Sequence, residues 1–182
     1  MTTEDSDRYI LSLIRKPETR DRGFTMMMEI YKERIYWHIR RLVVSHDDAE
    51  DILQETFINA YRFAGSFKEK SRIYTWLYRI ATNECIRFFR KNKKPDHRIE
   101  ELTDKITEKL AGHDLENTDD ILVRFQKAIL QLPEKQRIVF NLRYYDELSY
   151  DEICLIMKTS VNSLKTNYHY AQEKIKQYML NY

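Results

Sequence analysis

The chain has 182 residues, of which 42% are hydrophobic and 13% aromatic, and a net charge of only +2. This is material for one or two compact units with real cores, and the near-neutral balance excludes a generally polybasic nucleic-acid binder. Three glycines and three prolines are too few for strands joined by tight turns, so the expected class is all-α.

The N-terminal sequence Met1-Thr2-Thr3-Glu4-Asp5 lacks the basic start and apolar run of a signal peptide. No apolar stretch approaches membrane-spanning length. Cys85 and Cys154 are far apart, which suits buried, reduced thiols rather than a disulfide framework or a zinc site. These features predict a cytoplasmic protein that does not insert in membranes and holds no metal or cofactor.

Residues 5–94 read as a run of helices. Phe24, Met27, Met28, Tyr31, Ile35, His38, Ile39 and Leu42 mark one buried stripe. Ala49, Ile52, Leu53, Thr56, Phe57, Ala60, Tyr61 and Ala64 mark the next, over 48–64. Asp47 or Ser45 could cap that helix, and Gly65-Ser66 ends it. Opposite its stripe, Gln54, Glu55, Ile58 and Arg62 fall within about 60° of Asp51 at 100° per residue. An apolar side chain ringed by acids and an amide suits a partner surface bearing basic residues; a plain solvated face is the simpler alternative.

A further helix is expected from about Ser71 to Asn92, stopped by Pro95. Its inner side is Ile73, Leu77, Ile80, Ala81, Cys85 and Phe88. Its outer side is Arg72, Thr75, Trp76, Arg79, Asn83, Ile86, Arg87, Arg90 and Lys93. The basic stripe could follow a phosphate backbone. The helix dipole by itself accounts for Arg90 and Lys93, but not for Arg72 and Arg79 near the positive end. Trp76 is a wedge at a strand fork or a boundary tryptophan.

Residues 95–120 carry nine Asp/Glu against three Lys/Arg and are expected to form a flexible acidic linker over 95–119. From 120 onward helical periodicity returns. Ile121, Phe125, Ile129 and Leu132 mark one helix, and Pro133 is placed to begin another in its first turn. Ile138, Val139, Leu142 and Arg143 continue it. Ser149 and Glu152 make a capping box for a short helix through Met157. After the turn at Lys158-Thr159, Ser160 caps a last helix with an inner stripe of Val161, Leu164, Tyr168, Ala171 and Ile175. This is a helix-turn-helix. Asn162, Lys165, Thr166 and His169 share the outward stripe of its second helix, with side chains suited to base edges.

The two helical blocks together resemble the bacterial sigma factors of RNA polymerase, of the extracytoplasmic-function type. The first block does so through Asp48-Ala49-Glu50-Asp51-Ile52-Leu53-Gln54-Glu55-Thr56-Phe57 and Tyr74-Thr75-Trp76-Leu77-Tyr78-Arg79-Ile80-Ala81-Thr82-Asn83. The second does so through Leu132-Pro133-Glu134-Lys135-Gln136-Arg137, Leu148-Ser149-Tyr150-Asp151-Glu152-Ile153 and Ser160-Val161. The resemblance implies sigma domain 2 over 1–94 and sigma domain 4 over 120–182, with the linker between. It implies an alternative sigma factor without catalytic activity, directing promoter-specific initiation as a monomer bound to core polymerase.

Asp51, Gln54, Glu55 and Ile58 would then meet the β′ clamp helices, and domain 4 the β flap. Phe67, Ser71, Arg72, Trp76, Arg79, Asn83, Arg87 and Arg90 would take the −10 DNA. Ser160, Asn162, Ser163, Lys165, Thr166, His169 and Tyr170 would take the −35 DNA. An anti-sigma factor is a further implied partner. Glu69 and Ile73 depart from the family's frequent Gly and Phe, Lys158 from a frequent turn Gly, and Asn167, Tyr170 and Gln172 from frequent arginines. The alternative is a polymerase-independent helix-turn-helix regulator, which predicts palindromic half-sites and tight binding by itself.

Overall fold

The computed structural model describes residues 3–67, 72–91 and 117–181. The described residues are helical with no strand, and they divide into two compact units, the first built mainly from residues 1–88.

The first unit contains α1 (Thr3–Ile14), α2 (Arg20–Val43), α3 (His46–Phe63) and α4 (Ile73–Lys91), with short 3-10 turns at Pro17–Thr19 and Ala64–Ser66. Helix α2 packs between α1 and α3. Ile10, Met27, Ile35, Ile39, Leu42, Ala49, Ala60, Leu77 and Ala81 are sealed in its core. The close approach of α1 and α2 depends on Gly23. A Cβ there would lie 2.8 Å from Ile14 Cγ1 and 2.9 Å from Leu13 Cβ, closer than packed side chains tolerate. Ser45 caps α3, accepting from the Asp48 amide at 3.3 Å, so the helix starts at His46 and Ser45 takes the role for which Asp47 was the other candidate.

Several expected stripes shift at their edges. Met28 is 39% and Tyr61 40% exposed, although both keep the period of buried neighbours. Tyr61 instead turns outward so that its hydroxyl donates to Asp21 at 2.8 Å. That bond, with burial and the Asp21 charge, raises its pKa despite the nearby Arg20 guanidinium. Thr75, placed by its angle on the outer side of α4, is buried, as are Tyr74, Tyr78 and Thr82. Polar groups can enter this interface because α2 supplies partners. Thr82 Oγ1 lies 3.0 Å from His38 Nε2, and Arg34 Nε donates to the Tyr78 hydroxyl at 3.0 Å. Cys85 is buried as expected, but Cys154 is only partly buried.

The second unit contains α5 (Asn117–Leu130), α6 (Glu134–Tyr144), α7 (Tyr150–Met157) and α8 (Val161–Leu180). Helix α5 takes in the last three positions of the expected linker, 117–119; the rest of it, residues 95–116, lies outside the described residues. Ile121 is 56% exposed, and from Ile121 onward only Ala128, Ile129 and Leu130 of α5 are buried. Ala128, Ile129, Leu132, Phe140, Ala171 and Ile175 form a core through which α8 joins α5 and α6. Phe140 stacks on Tyr168 at 5.8 Å and on Tyr144 at 5.1 Å. Burial raises the Tyr168 pKa, helped by Tyr150. Pro133 is the N-cap of α6, with φ −51° and ψ 142°, one position earlier than the first-turn place expected of it.

Candidate polymerase and promoter interfaces

Helix α3 turns Ala49, Ile52, Leu53, Thr56 and Phe57 inward, which leaves Asp51, Gln54, Glu55 and Ile58 outward by the 100° step. All four are exposed, Ile58 at 37%. Beside them lies a groove of about 550 Å³ between α2 and α3. Phe24, Met28, Leu53, Phe57, Ile58 and Tyr61 supply its apolar wall, and Lys32, Glu50, Asp51 and Gln54 its polar edge. The outward turn of Met28 and Tyr61 creates this groove. Its sequence signal was present in Met28 and Lys32, one helical turn apart on α2, but Met28 reads equally well as core. The surface is therefore apolar at the centre and mostly acidic at the margin, as a partner with basic residues around apolar ones would require.

A second candidate surface lies on α4. Arg72, Arg79, Asn83, Arg87 and Arg90 are exposed. Trp76 is half-buried, and its ring packs against that of Phe67 with centroids 5.0 Å apart. The pair brings an aromatic wall from the preceding turn to the side of the helix that carries the cations, which is the arrangement an unstacked base needs. Arg72 leans over the Tyr74 ring at 5.9 Å. Arg87 pairs with Glu84 at 2.9 Å, and Glu84 also accepts from Asn59 at 3.0 Å. The Arg87 side chain is 71% exposed and that of Glu84 13%, so the guanidinium is the end of the pair open to solvent. Ser71 lies outside the described residues.

The third surface belongs to the helix-turn-helix. Ser149 and Glu152 cap α7 reciprocally, Ser149 N donating to Glu152 Oε2 at 2.8 Å and Glu152 N to Ser149 Oγ at 3.3 Å. Lys158 makes the turn at φ 50°, the left-handed conformation that favours glycine. Ser160 then caps α8, accepting from Ser163 N at 3.3 Å. Asn162, Lys165, Thr166, His169 and Tyr170 are exposed along one side. Thr166 donates to the Asn162 carbonyl at 2.9 Å and keeps its oxygen lone pairs for a donor on a base edge. Ser163 is partly buried, and its carbonyl is taken by Asn167 Nδ2 at 2.7 Å. Lys165 Nζ rests 5.8 Å from the Tyr150 ring, so its charge is held over the first helix of the motif.

The family model for Sigma-70 region 2 matches residues 27–94, and that for Sigma-70, region 4 matches residues 122–175. The chain belongs to the sigma-70 family of RNA polymerase sigma factors. It is 37% identical over 168 residues to the ECF RNA polymerase sigma factor SigW of Bacillus subtilis, covering 85% of this chain and 87% of that one. It is 31% identical to the RNA polymerase sigma-H factor of Pseudomonas aeruginosa, over 96% of this chain and 94% of the relative.

Two solved structures share the fold. The structure of CnrH in complex with the cytosolic domain of CnrY matches with a TM-score of 0.69 at 18% identity, over 95% of this chain and 96% of that one. The sigma factor RpoE of Bartonella quintana, in complex with the anti-sigma factor NepR, matches with a TM-score of 0.64 at 21% identity, over 86% and 96%. The chain is thus a sigma factor of the extracytoplasmic-function type, an alternative factor that directs promoter-specific transcription initiation. The family is one of non-catalytic initiation factors. Among the described residues, no group of three or more His, Cys, Asp and Glu is gathered for a metal, and no helix is long and apolar enough to cross a membrane.

Proposed function

We propose that residues 1–94 act as the domain that binds core polymerase and opens the −10 element, and residues 120–182 as the domain that reads the −35 element. Asp51, Gln54, Glu55 and Ile58 meet the β′ clamp helices, and the adjoining α2–α3 groove takes an apolar side chain from the same partner. Phe67 and Trp76 stack on separated −10 bases, Asn83 offers both donor and acceptor to a base edge, and Arg72, Arg79, Arg87 and Arg90 follow the backbone. Helix α8 enters the −35 major groove with Asn162, Lys165, Thr166 and His169 toward the bases. Ser160, Ser163 and Tyr170 lie at the phosphates, and the opposite side of this domain meets the β flap.

The observation that supports this most is the Phe67–Trp76 ring pair beside the exposed cations of α4, because a polymerase-independent regulator has no use for a base-stacking wall. The acidic segment 95–119 joins the domains as a tether. The factor works in the cytoplasm as a monomer, without catalysis of its own. An anti-sigma factor, the kind of partner with which the Bartonella RpoE was solved, covers the acidic α3 surface or the α8 stripe until it is released.

The test is runoff transcription with core polymerase on a promoter mapped by transcript 5′ ends after overexpression. Transcription should require the factor. A folded factor that supports none, yet binds a palindromic site tightly without polymerase, would replace this proposal with the regulator.

A further inference from the structure

The start of α4 is capped from another helix. The residue before its first turn is Arg72, and the first turn holds no acid. Arginine offers no acceptor to the free amides of a helix start, and its charge opposes the positive end of the dipole. An acceptor comes from α1. Asp7 is 7% exposed, and its Oδ2 accepts from the Ile73 amide at 3.4 Å across 66 residues of sequence. Its Oδ1 accepts from the Tyr31 hydroxyl of α2. Tyr31 is itself 4% exposed, so the carboxylate is locked between two elements and aimed at the third. Burial first, and then the hydrogen bond and charge of Asp7, push the Tyr31 pKa far above its ordinary value, so the phenol stays a donor.

We propose that Asp7 is a positioning residue for promoter opening: it fixes the start of α4, and with it Arg72, Trp76, Arg79 and Asn83, from outside the matched region. The buried acid supplies the negative charge that the arginine-rich start lacks, without placing a carboxylate on the DNA side. A local capping Asp or Glu at position 72 would do the same for the helix but would repel the phosphates. The inference rests on the assignment of α4 to the −10 DNA.

The experiment uses the full-length factor with core polymerase and follows open-complex formation on a duplex promoter by permanganate reactivity. In parallel it measures core affinity and exchange of the Ile73 amide. Asp7→Ala should slow opening about tenfold, the scale of a lost cap, while core affinity changes less than about twofold and the Ile73 amide exchanges faster. Asp7→Asn keeps an acceptor oxygen, folds with less disturbance, and should recover opening to within about threefold of the natural rate. Unchanged opening in folded Asp7→Ala, or equal losses of opening and core affinity, would overturn the inference. Arg79→Ala separates the two levels. If Arg79→Ala slows opening and Asp7→Ala does not, only the role of Asp7 is lost. If neither Arg79→Ala nor Asn83→Ala affects opening, α4 is not the −10 reader and both fall together.

Discussion

Helices α4 and α8, which we propose both present polar and basic side chains to DNA, are anchored in opposite ways. Helix α8 starts at Ser160, which accepts from Ser163 N three residues on. Its partner helix α7 is capped just as locally by Ser149 and Glu152. Helix α4 starts at Arg72 and takes its acceptor from Asp7, a residue of another helix. A locally capped reader keeps its geometry whenever its own turn forms. A reader capped from a distance holds its geometry only while the surrounding bundle is intact. That difference fits the roles proposed for the two units, duplex reading by the second and strand opening by the first.

The broadest test of the division between the units reverses charge on α3. Asp51→Arg with Glu55→Arg should lower core-polymerase affinity about 100-fold, as repulsion across an interface costs several kcal/mol. Binding of the second unit to −35 DNA should not change. Fluorescence anisotropy with labelled core polymerase measures the first, and a −35 duplex the second; equal losses in both would erase the contrast. Next in size, Lys165→Ala should reduce −35-dependent initiation by about 1–3 kcal/mol, or about 5- to 100-fold, with core affinity retained. Templates with and without the −35 element give the readout.

The packing of the first unit is tested by Gly23→Ala, which should destabilise it by about 1–3 kcal/mol through the clash with Leu13 and Ile14. Differential scanning calorimetry should show the loss in one transition only. Ser160→Ala removes the local cap of α8 and should cost the second unit about 1 kcal/mol. Its effect should be confined to amides near 161–164 in hydrogen exchange, unlike the long-range effect of Asp7. Smallest of all, Lys158→Gly should stabilise the second unit by about 0.5–1 kcal/mol by relieving the left-handed turn, read as a shift in its denaturant midpoint.

Where the signals are local, sequence and structure agree. The capping box at Ser149 and Glu152, the cap at Ser160, the positive φ at Lys158 and the exposed Asn162, Lys165, Thr166 and His169 all follow from residues within one or two turns of each other. The exposed Asp51, Gln54, Glu55 and Ile58 follow from a single period. The differences lie where another element decides. Periodicity put Met28 and Tyr61 in the core, yet they turn outward where α2 and α3 diverge into a groove. Thr75 looked outward by angle but is buried, and Thr82, on neither side of the expected helix, is buried against His38 across the α2–α4 interface.

By itself, the sequence determined the helical class, the order of the two units, the family and the outward faces of α3 and α8. Those features depend on periods and caps whose partners sit three or four residues apart. Tertiary structure alone decided the groove beside Ile58, the burial of Tyr78 and Thr82, the meeting of Phe67 with Trp76, and the capping of α4 by Asp7. A buried hydroxyl or carboxylate is tolerated only where a partner meets it, and the partners of Thr82, Tyr78 and Asp7 stand on other helices, 44 and 66 positions away.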